Sequence, residues 1–256
     1  HRDLHSFPTR RSSDLVAEYA ANPQFTRCPG LHIEGPFINV SKAGAQNPQF
    51  VREPDFEELA ALHGICPALI VSVAPDVPGA IDFIARATAA GITCSAAHTA
   101  ATCAQIMEAK AAGLAHLTHY GNAMTPLHHR EIGVVGAGLL DDGLMVELIC
   151  DTIHLCPDML RLVFKRIPVE RLMMITDSMA ASWIDKGEVM LGGLEVVVED
   201  GTARLKQGGA LAGSALPAAS RSPCVGEGIV AGDRTGSGRG STRAAEDAER
   251  RIGARP

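Results

Sequence analysis

Four apolar runs in this 256-residue chain each end in a side chain able to bind a metal or move a proton, and no other feature restricts the fold as strongly. They are Leu31-His32-Ile33-Glu34, Ile92-Thr93-Cys94-Ser95-Ala96-Ala97-His98, Ala115-His116-Leu117-Thr118-His119 and Leu172-Met173-Met174-Ile175-Thr176-Asp177. A buried strand that terminates in His, Glu or Asp presents that side chain at the rim of a sheet, and in a (β/α) barrel that rim is where sites are built. One such residue is an ordinary cap or turn residue. Four, at βα-like spacing, point to a metal centre with an acid/base beside it.

The intervening sequence supports a mainly parallel sheet. Strands are expected over Gly30–Ile33, Ala68–Val73, Ile92–Ala97, Leu114–Thr118, Leu144–Ile149 and Leu172–Ile175, each a short apolar run. Helices are expected over Asp55–His63, Gly79–Ala90, Ala100–Ala112 and Asp158–Arg166, with Pro78 and Pro157 before two of them and Gly91 and Gly113 after two. Such alternation covers a parallel sheet with helices. After Asp177 the texture changes: Leu194–Val198, a Glu199-Asp200-Gly201-Thr202 turn and Ala203–Leu205 predict a β-hairpin after the last barrel strand.

Length fits one barrel-sized domain of about 250 residues. The formal charge of −6 offers no basic face for nucleic acid. No apolar run reaches the roughly 18 residues of a membrane span, so the expectation is a cytoplasmic protein with neither nucleic-acid nor membrane partners. Seven cysteines, an odd number without a Cys-x-x-Cys pair, argue against a disulfide framework or zinc ribbon and are expected to be reduced and mostly buried. Met173, Met174 and Met179 are expected to pack.

The ends differ from the middle. Residues 1–15 include a stretch, Phe7 to Leu15, that resembles a translated sequencing-library adapter and is set aside from fold reasoning. Residues 217–256 contain no Leu, Phe, Met, Tyr or Trp and read as a frameshifted or disordered tail. The patterned domain is residues 16–216.

Several motifs stand in one order: His32-Ile33-Glu34-Gly35-Pro36-Phe37, Lys42-Ala43-Gly44-Ala45-Gln46-Asn47-Pro48, the long run Thr118 to Glu131 that contains His119-Tyr120-Gly121-Asn122-Ala123-Met124, Ile175-Thr176-Asp177, and Leu211-Ala212-Gly213-Ser214. Together they resemble N-acetylglucosamine-6-phosphate deacetylases, a branch of the metal-dependent amidohydrolases. The resemblance implies a (β/α)8 TIM barrel, here with strands three to eight. It implies Glu34, His98 and His119 as metal ligands, Asp177 as the catalytic carboxylate, and Ala45, Gln46, Asn122, Ala123, Arg130, His154, Leu211, Ala212 and Gly213 as substrate contacts. Arg130 would hold the phosphate, unless it merely pairs with Glu131 or Asp141.

The cofactor implied is a divalent ion, Zn²⁺ first, with Fe or another divalent ion also suited to carboxylate and imidazole ligands. Whether one ion or two are bound stays open, because many relatives carry a His-x-His pair for a second metal on the first strand. The family is a homo-oligomer, dimer or tetramer, acting on a small amino-sugar phosphate. Two departures stand out: Gln46 occupies a place where some members carry His, and Tyr120-Gly121 replaces a bulkier pair. Another sugar amidohydrolase with the same metal set, and a non-catalytic fragment whose barrel does not close, remain as alternatives.

Overall fold

The computed structural model describes residues 10–22, 28–182, 184 and 186–214. Six strands, β1 Leu31–Glu34, β2 Ala68–Val73, β3 Thr93–Ala96, β4 Leu114–Leu117, β5 Met145–Ile149 and β6 Leu172–Ile175, pair in sequence order. Every pairing is parallel, and the sheet is a curled half-barrel. The helices are α1 Arg10–Ala21, α2 Phe56–Ile65, α3 Ala80–Ala89, α4 Cys103–Ala111, α5 Gly133–Leu140 and α6 Pro157–Arg166. One helix thus follows each of the first five strands, as parallel pairing requires of its crossovers.

Strand alternation sorts the residues onto two faces. Ile33, Val71, Val73, Cys94, Ala96, Leu117, Val146 and Leu148 share one apolar core with Leu59, Phe83, Ile84, Ile106, Val134 and Leu160 of the helices. The other face is polar: His32 Nε2 lies 2.8 Å from Ser72 Oγ, which meets Thr118 Oγ1 at 2.8 Å, and Ser95 Oγ reaches the same Thr118 at 2.6 Å. A buried hydroxyl chain of this kind is tolerated because each member has a partner. His32 therefore belongs to the inner face, next to but outside the ligand cluster.

Local chemistry explains the boundaries. Helix α4 starts at Cys103 rather than Ala100 because Thr102 and Gln105 form a reciprocal capping box. Asp55 caps α2 through the N–H groups of Glu57 and Glu58. Helix α5 has no counterpart among the sequence expectations, since Gly133, Gly136 and Gly138 lower its intrinsic propensity. Gly138 is there for proximity: a Cβ would stand 2.6 Å from Tyr120 Cε2 and 2.8 Å from Leu117 Cδ1. Arg171, buried, closes the far end of this helix by donating to the carbonyls of Gly138 and Leu144.

A second sheet contains the expected hairpin and extends it on both sides. Strands β7 Gly187–Leu191, β8 Leu194–Glu199, β9 Thr202–Leu205 and β10 Leu211–Ser214 are antiparallel in the order β10-β9-β8-β7. Asp200 and Gly201 in the β8–β9 turn have φ of 50° and 71°, the left-handed pair that a two-residue hairpin needs. Val196, Val198, Ala203, Ala212 and Ala181 form its small core. The bonds that tie it to the half-barrel include one from Ser214 N, which donates to Asp177 O at 2.8 Å, and one from Asn47 Nδ2, which donates to Gly192 O at 3.0 Å.

Two expectations change. Met174 does not pack: it lies on the outer face of β6, 44% exposed. Among the described residues the cysteines are not mostly buried, because Cys28 and Cys103 are half-buried and Cys156 is exposed, against buried Cys66, Cys94 and Cys150. Arg10–Leu15, within the adapter-like stretch, lie in α1, which packs beside α2. Residues 217–256 lie outside the described residues. Among the described residues no helix is long and apolar enough to cross a membrane.

Candidate metal centre

Glu34 ends β1, while His98, His119 and Asp177 each stand two residues past the end of β3, β4 and β6. The last three have φ of 44°, 33° and 49°. Non-glycine residues in this region cost about 1–3 kcal/mol each and persist where surrounding structure enforces them. Here the left-handed turn takes each residue out of the strand direction just as the strand ends. Strain recurring at three strand ends marks the rim as the working part of the molecule.

The three ligand candidates converge. His98 Nε2 is 2.9 Å and His119 Nε2 3.4 Å from Glu34 Oε1, and the two Nε2 atoms are 3.1 Å apart. One atom from each residue lies within 4.8 Å of the others, so a single ion can contact all three. The tautomer fits as well. His98 Nδ1 donates to the carbonyl of Lys42 at 2.8 Å, which leaves its Nε2 lone pair aimed at the cluster. Carboxylate and imidazole donors suit Zn²⁺ and similar ions, and three protein ligands leave a coordination position for water or substrate.

Electrostatics agree with a seat for a cation. Burial penalises the charged forms of both Glu34 and His119, yet their mutual hydrogen bond outweighs it. Glu34 is held well below the usual carboxylate range and His119 is raised to about 9. The metal-free site therefore keeps a proton on His119 at neutral pH, and an ion must expel it. Zinc uptake at pH 7.5 is expected to release close to one proton, with apparent affinity rising about tenfold per pH unit until about pH 9 and levelling above it. Zinc titrations by calorimetry in buffers of different ionisation enthalpy read this directly; the absence of proton release would show that His119 does not hold that proton in the metal-free site. The same proton bears on folding: a raised His119 pKa stabilises the metal-free fold below the unfolded value near 6.5, and that contribution is lost as pH rises through about 9.

Asp177 sits within electrostatic reach of this cluster. Burial first, then the Glu34 charge, raises its pKa, against the opposing influence of His119, His154 and His98. A carboxyl with a raised pKa both accepts and returns a proton near neutral pH more readily than an ordinary one. His154, at the β5 end, is oriented by Asp151, whose Oδ2 lies 2.6 Å from its Nδ1 and whose Oδ1 accepts the N–H groups of Ile153 and His154. His154 lines a small cleft with Thr202, Ala203, Leu211 and Gly213, so the second sheet contributes one wall.

The remaining substrate candidates divide into two groups. Gln46 joins the cluster by donating from Nε2 to Glu34 Oε1 at 3.0 Å. Asn122 Nδ2 donates to His119 O at 3.1 Å within the loop after β4, and Thr99 N donates to Ala123 O at 3.1 Å, which fastens the loops after β3 and β4 to each other. Ala45 packs against the small core of the second sheet. Arg130 stands apart on an exposed loop, its Nη1 donating to His129 Nε2 at 2.7 Å. Neither expected carboxylate holds it, since Glu131 accepts the N–H groups of Cys103 and Gly133 and Asp141 pairs with Lys110.

No family model matches the chain. It is 40% identical over 189 residues to the N-acetylglucosamine-6-phosphate deacetylase of Bacillus subtilis (strain 168), a match covering 73% of this chain and 48% of that protein. Over its matched residues the chain is homologous to N-acetylglucosamine-6-phosphate deacetylases. An N-acetylgalactosamine-6-phosphate deacetylase of Escherichia coli O157:H7 is 38% identical over 189 residues, covering 73% of this chain and 50% of that protein. Among solved structures, the Thermotoga maritima N-acetylglucosamine-6-phosphate deacetylase superposes with a TM-score of 0.76 at 36% identity, over 82% of this chain and 58% of that one. A mutant of the Mycobacterium smegmatis deacetylase in complex with N-acetyl-D-glucosamine-6-phosphate gives 0.76 at 33% identity, over 80% and 54%. The chain spans about half the length of the curated deacetylases it matches.

Sequence reasoning passed over three partners. The Lys42 carbonyl is invisible because a backbone acceptor leaves no side-chain signature. Asp151 was signalled by its place three residues before His154. Glu147 was signalled more strongly, as a lone charge inside the buried run Met145–Ile149.

Proposed function

We propose that this chain carries the metal-dependent site of an amide hydrolase that removes acetate from N-acetylglucosamine 6-phosphate, leaving glucosamine 6-phosphate. The observation that carries the reading is the convergence of Glu34, His98 and His119 beside a half-buried Asp177, at the ends of strands homologous to those of deacetylases. On this reading the six parallel strands are the third to eighth of a (β/α)8 barrel, and the ion is Zn²⁺.

A bound divalent ion supplies polarisation of the amide carbonyl and acidification of water. The rest falls to the chain's own side chains. Asp177 accepts the proton of the attacking water and hands it to the departing amine, because an amide nitrogen leaves only when protonated. His154, held by Asp151, turns Nε2 toward the cleft to contact the sugar phosphate or the amide. Gln46, Asn122, Ala123 and Leu211–Gly213 line the sugar's path, with Gln46 also steadying Glu34. Arg130, unclaimed by a carboxylate among the described residues, binds the phosphate, for which a guanidinium offers a charge-assisted fork. The complete enzyme acts as a homo-oligomer in the cytoplasm, and Arg130 on its exposed loop is placed to serve a neighbouring subunit's site.

Acetate release from N-acetylglucosamine 6-phosphate tests this reading. Arg130→Ala is expected to act mainly on KM for the phosphorylated sugar, and to leave the slow hydrolysis of unphosphorylated N-acetylglucosamine nearly unchanged, since the arginine contacts a group that does not react. Equal impairment of both substrates would remove the phosphate role and favour a different sugar amidohydrolase. Parallel assay of the galactosamine epimer decides between the two substrate names that the relatives carry.

A further inference from the structure

The ligand cluster is supported unevenly. His98 is oriented from behind by the Lys42 carbonyl, and Glu34 is steadied by Gln46. His119 has no such support: its Nδ1 is buried and makes no hydrogen bond. A ligating imidazole ordinarily donates its second N–H to a carbonyl or carboxylate, which fixes both the ring and the tautomer.

A second orphan lies beside the first. Glu147, 2% exposed on the inner face of β5, has an Oε2 that is buried and equally without a partner. The backbones place the two residues side by side, for Tyr120 N donates to Glu147 O at 2.8 Å across the junction of β4 and β5. The carboxylate also feels the backbone N–H and the ring charge of His119, while burial pushes its pKa up to about 7. A buried carboxyl oxygen and a buried ring nitrogen left without partners each carry a desolvation penalty of about 1–3 kcal/mol or more, and one contact relieves both.

We propose that Glu147 is the positioning residue of His119: its carboxylate takes the Nδ1–H and so holds Nε2 as the donor to the metal ion. The three ligands then have three distinct supports, a backbone carbonyl for His98, an amide for Glu34 and a carboxylate for His119. His116, whose Nδ1 is also buried without a partner, competes for the same carboxylate from three residues before His119, on β4 opposite Met145. The backbone contact to His119 favours the metal ligand. The proposal rests on the metal-site reading above, but its test does not use turnover.

Zinc affinity of the full chain, measured by competition with a chromophoric chelator, is the first readout. Glu147→Gln is expected to lower it by about tenfold or more, the usual cost of losing an outer-shell partner. The second readout is the His119 Nδ1 proton in long-range ¹H–¹⁵N spectra of the zinc form, which should move upfield as its carboxylate acceptor is replaced by an amide. His116→Phe should change neither. Glu147→Asp, one methylene short, should lower affinity in the same direction and serves if the glutamine variant does not fold. An affinity within twofold of the parent with an unchanged Nδ1 resonance would overturn the proposal. So would a drop in the thermal midpoint of the metal-free protein with zinc affinity intact, since that marks Glu147 as purely structural. Zinc uptake that persists unchanged in His119→Ala would instead remove the metal reading itself.

Discussion

Asp177→Asn is expected to lower kcat by at least about 100-fold while zinc stays bound, the lower end of what a positioned acid/base contributes. The reasoning is geometric and electrostatic together. Asp177 follows β6 in a left-handed turn, and burial with the nearby Glu34 charge raises its pKa, which is what a group that must both take and give a proton requires. Asparagine keeps the shape and removes only the proton chemistry. Metal content and KM near the parent values, with kcat collapsed, would fit this role. If Asp177→Asn instead lost the metal, the carboxylate would be a ligand and the acid/base would have to be found elsewhere.

The ligand substitutions should behave differently. Glu34→Gln, His98→Ala and His119→Ala are each expected to lose the ion and with it all turnover, because a three-ligand site tolerates little loss. Glu34→Gln is the most informative. It leaves the shape almost unaltered but removes the charge that His98 and His119 both face at 2.9 and 3.4 Å. With the carboxylate gone, His119 also loses the main influence that raises its pKa, so its proton should come off nearer the ordinary imidazole range. Full metal occupancy in all three variants, measured by elemental analysis, would detach these residues from the site.

The half-barrel and the cluster at its rim were legible because a buried parallel strand is a continuous apolar run, and a polar residue ending it stands out. Strand β2 matches its expected bounds, and β6 does too. Helix α5 was not legible, since Gly136 and Gly138 answer to tight packing against Ile132, Leu117 and Tyr120 rather than to helix propensity. Strand β10 was hidden for a related reason: Leu-Ala-Gly-Ser is short and small, and it becomes a strand only through pairing with β9. Strand β7 alternates half-buried Val189 and Leu191 with exposed Glu188 and Met190, a readable pattern that the change of texture after Asp177 obscured. In the site, Glu34, His98, His119 and Asp177 stand out in the sequence, but the backbone strain at three of them does not, because His and Asp enter the left-handed region more often than most residues without being bound to it.

The bond from Ser214 N to Asp177 O orders events along the chain. The three ligand candidates Glu34, His98 and His119 all precede Asp177, which is pinned by Ser214, 37 residues after it at the end of β10. During synthesis from the N-terminus the chain can therefore gather Glu34, His98 and His119 well before Asp177 is locked in place. On the proposed reading, a nascent chain would gather its ligand candidates first and complete the reactive centre only when β10 returns to the rim.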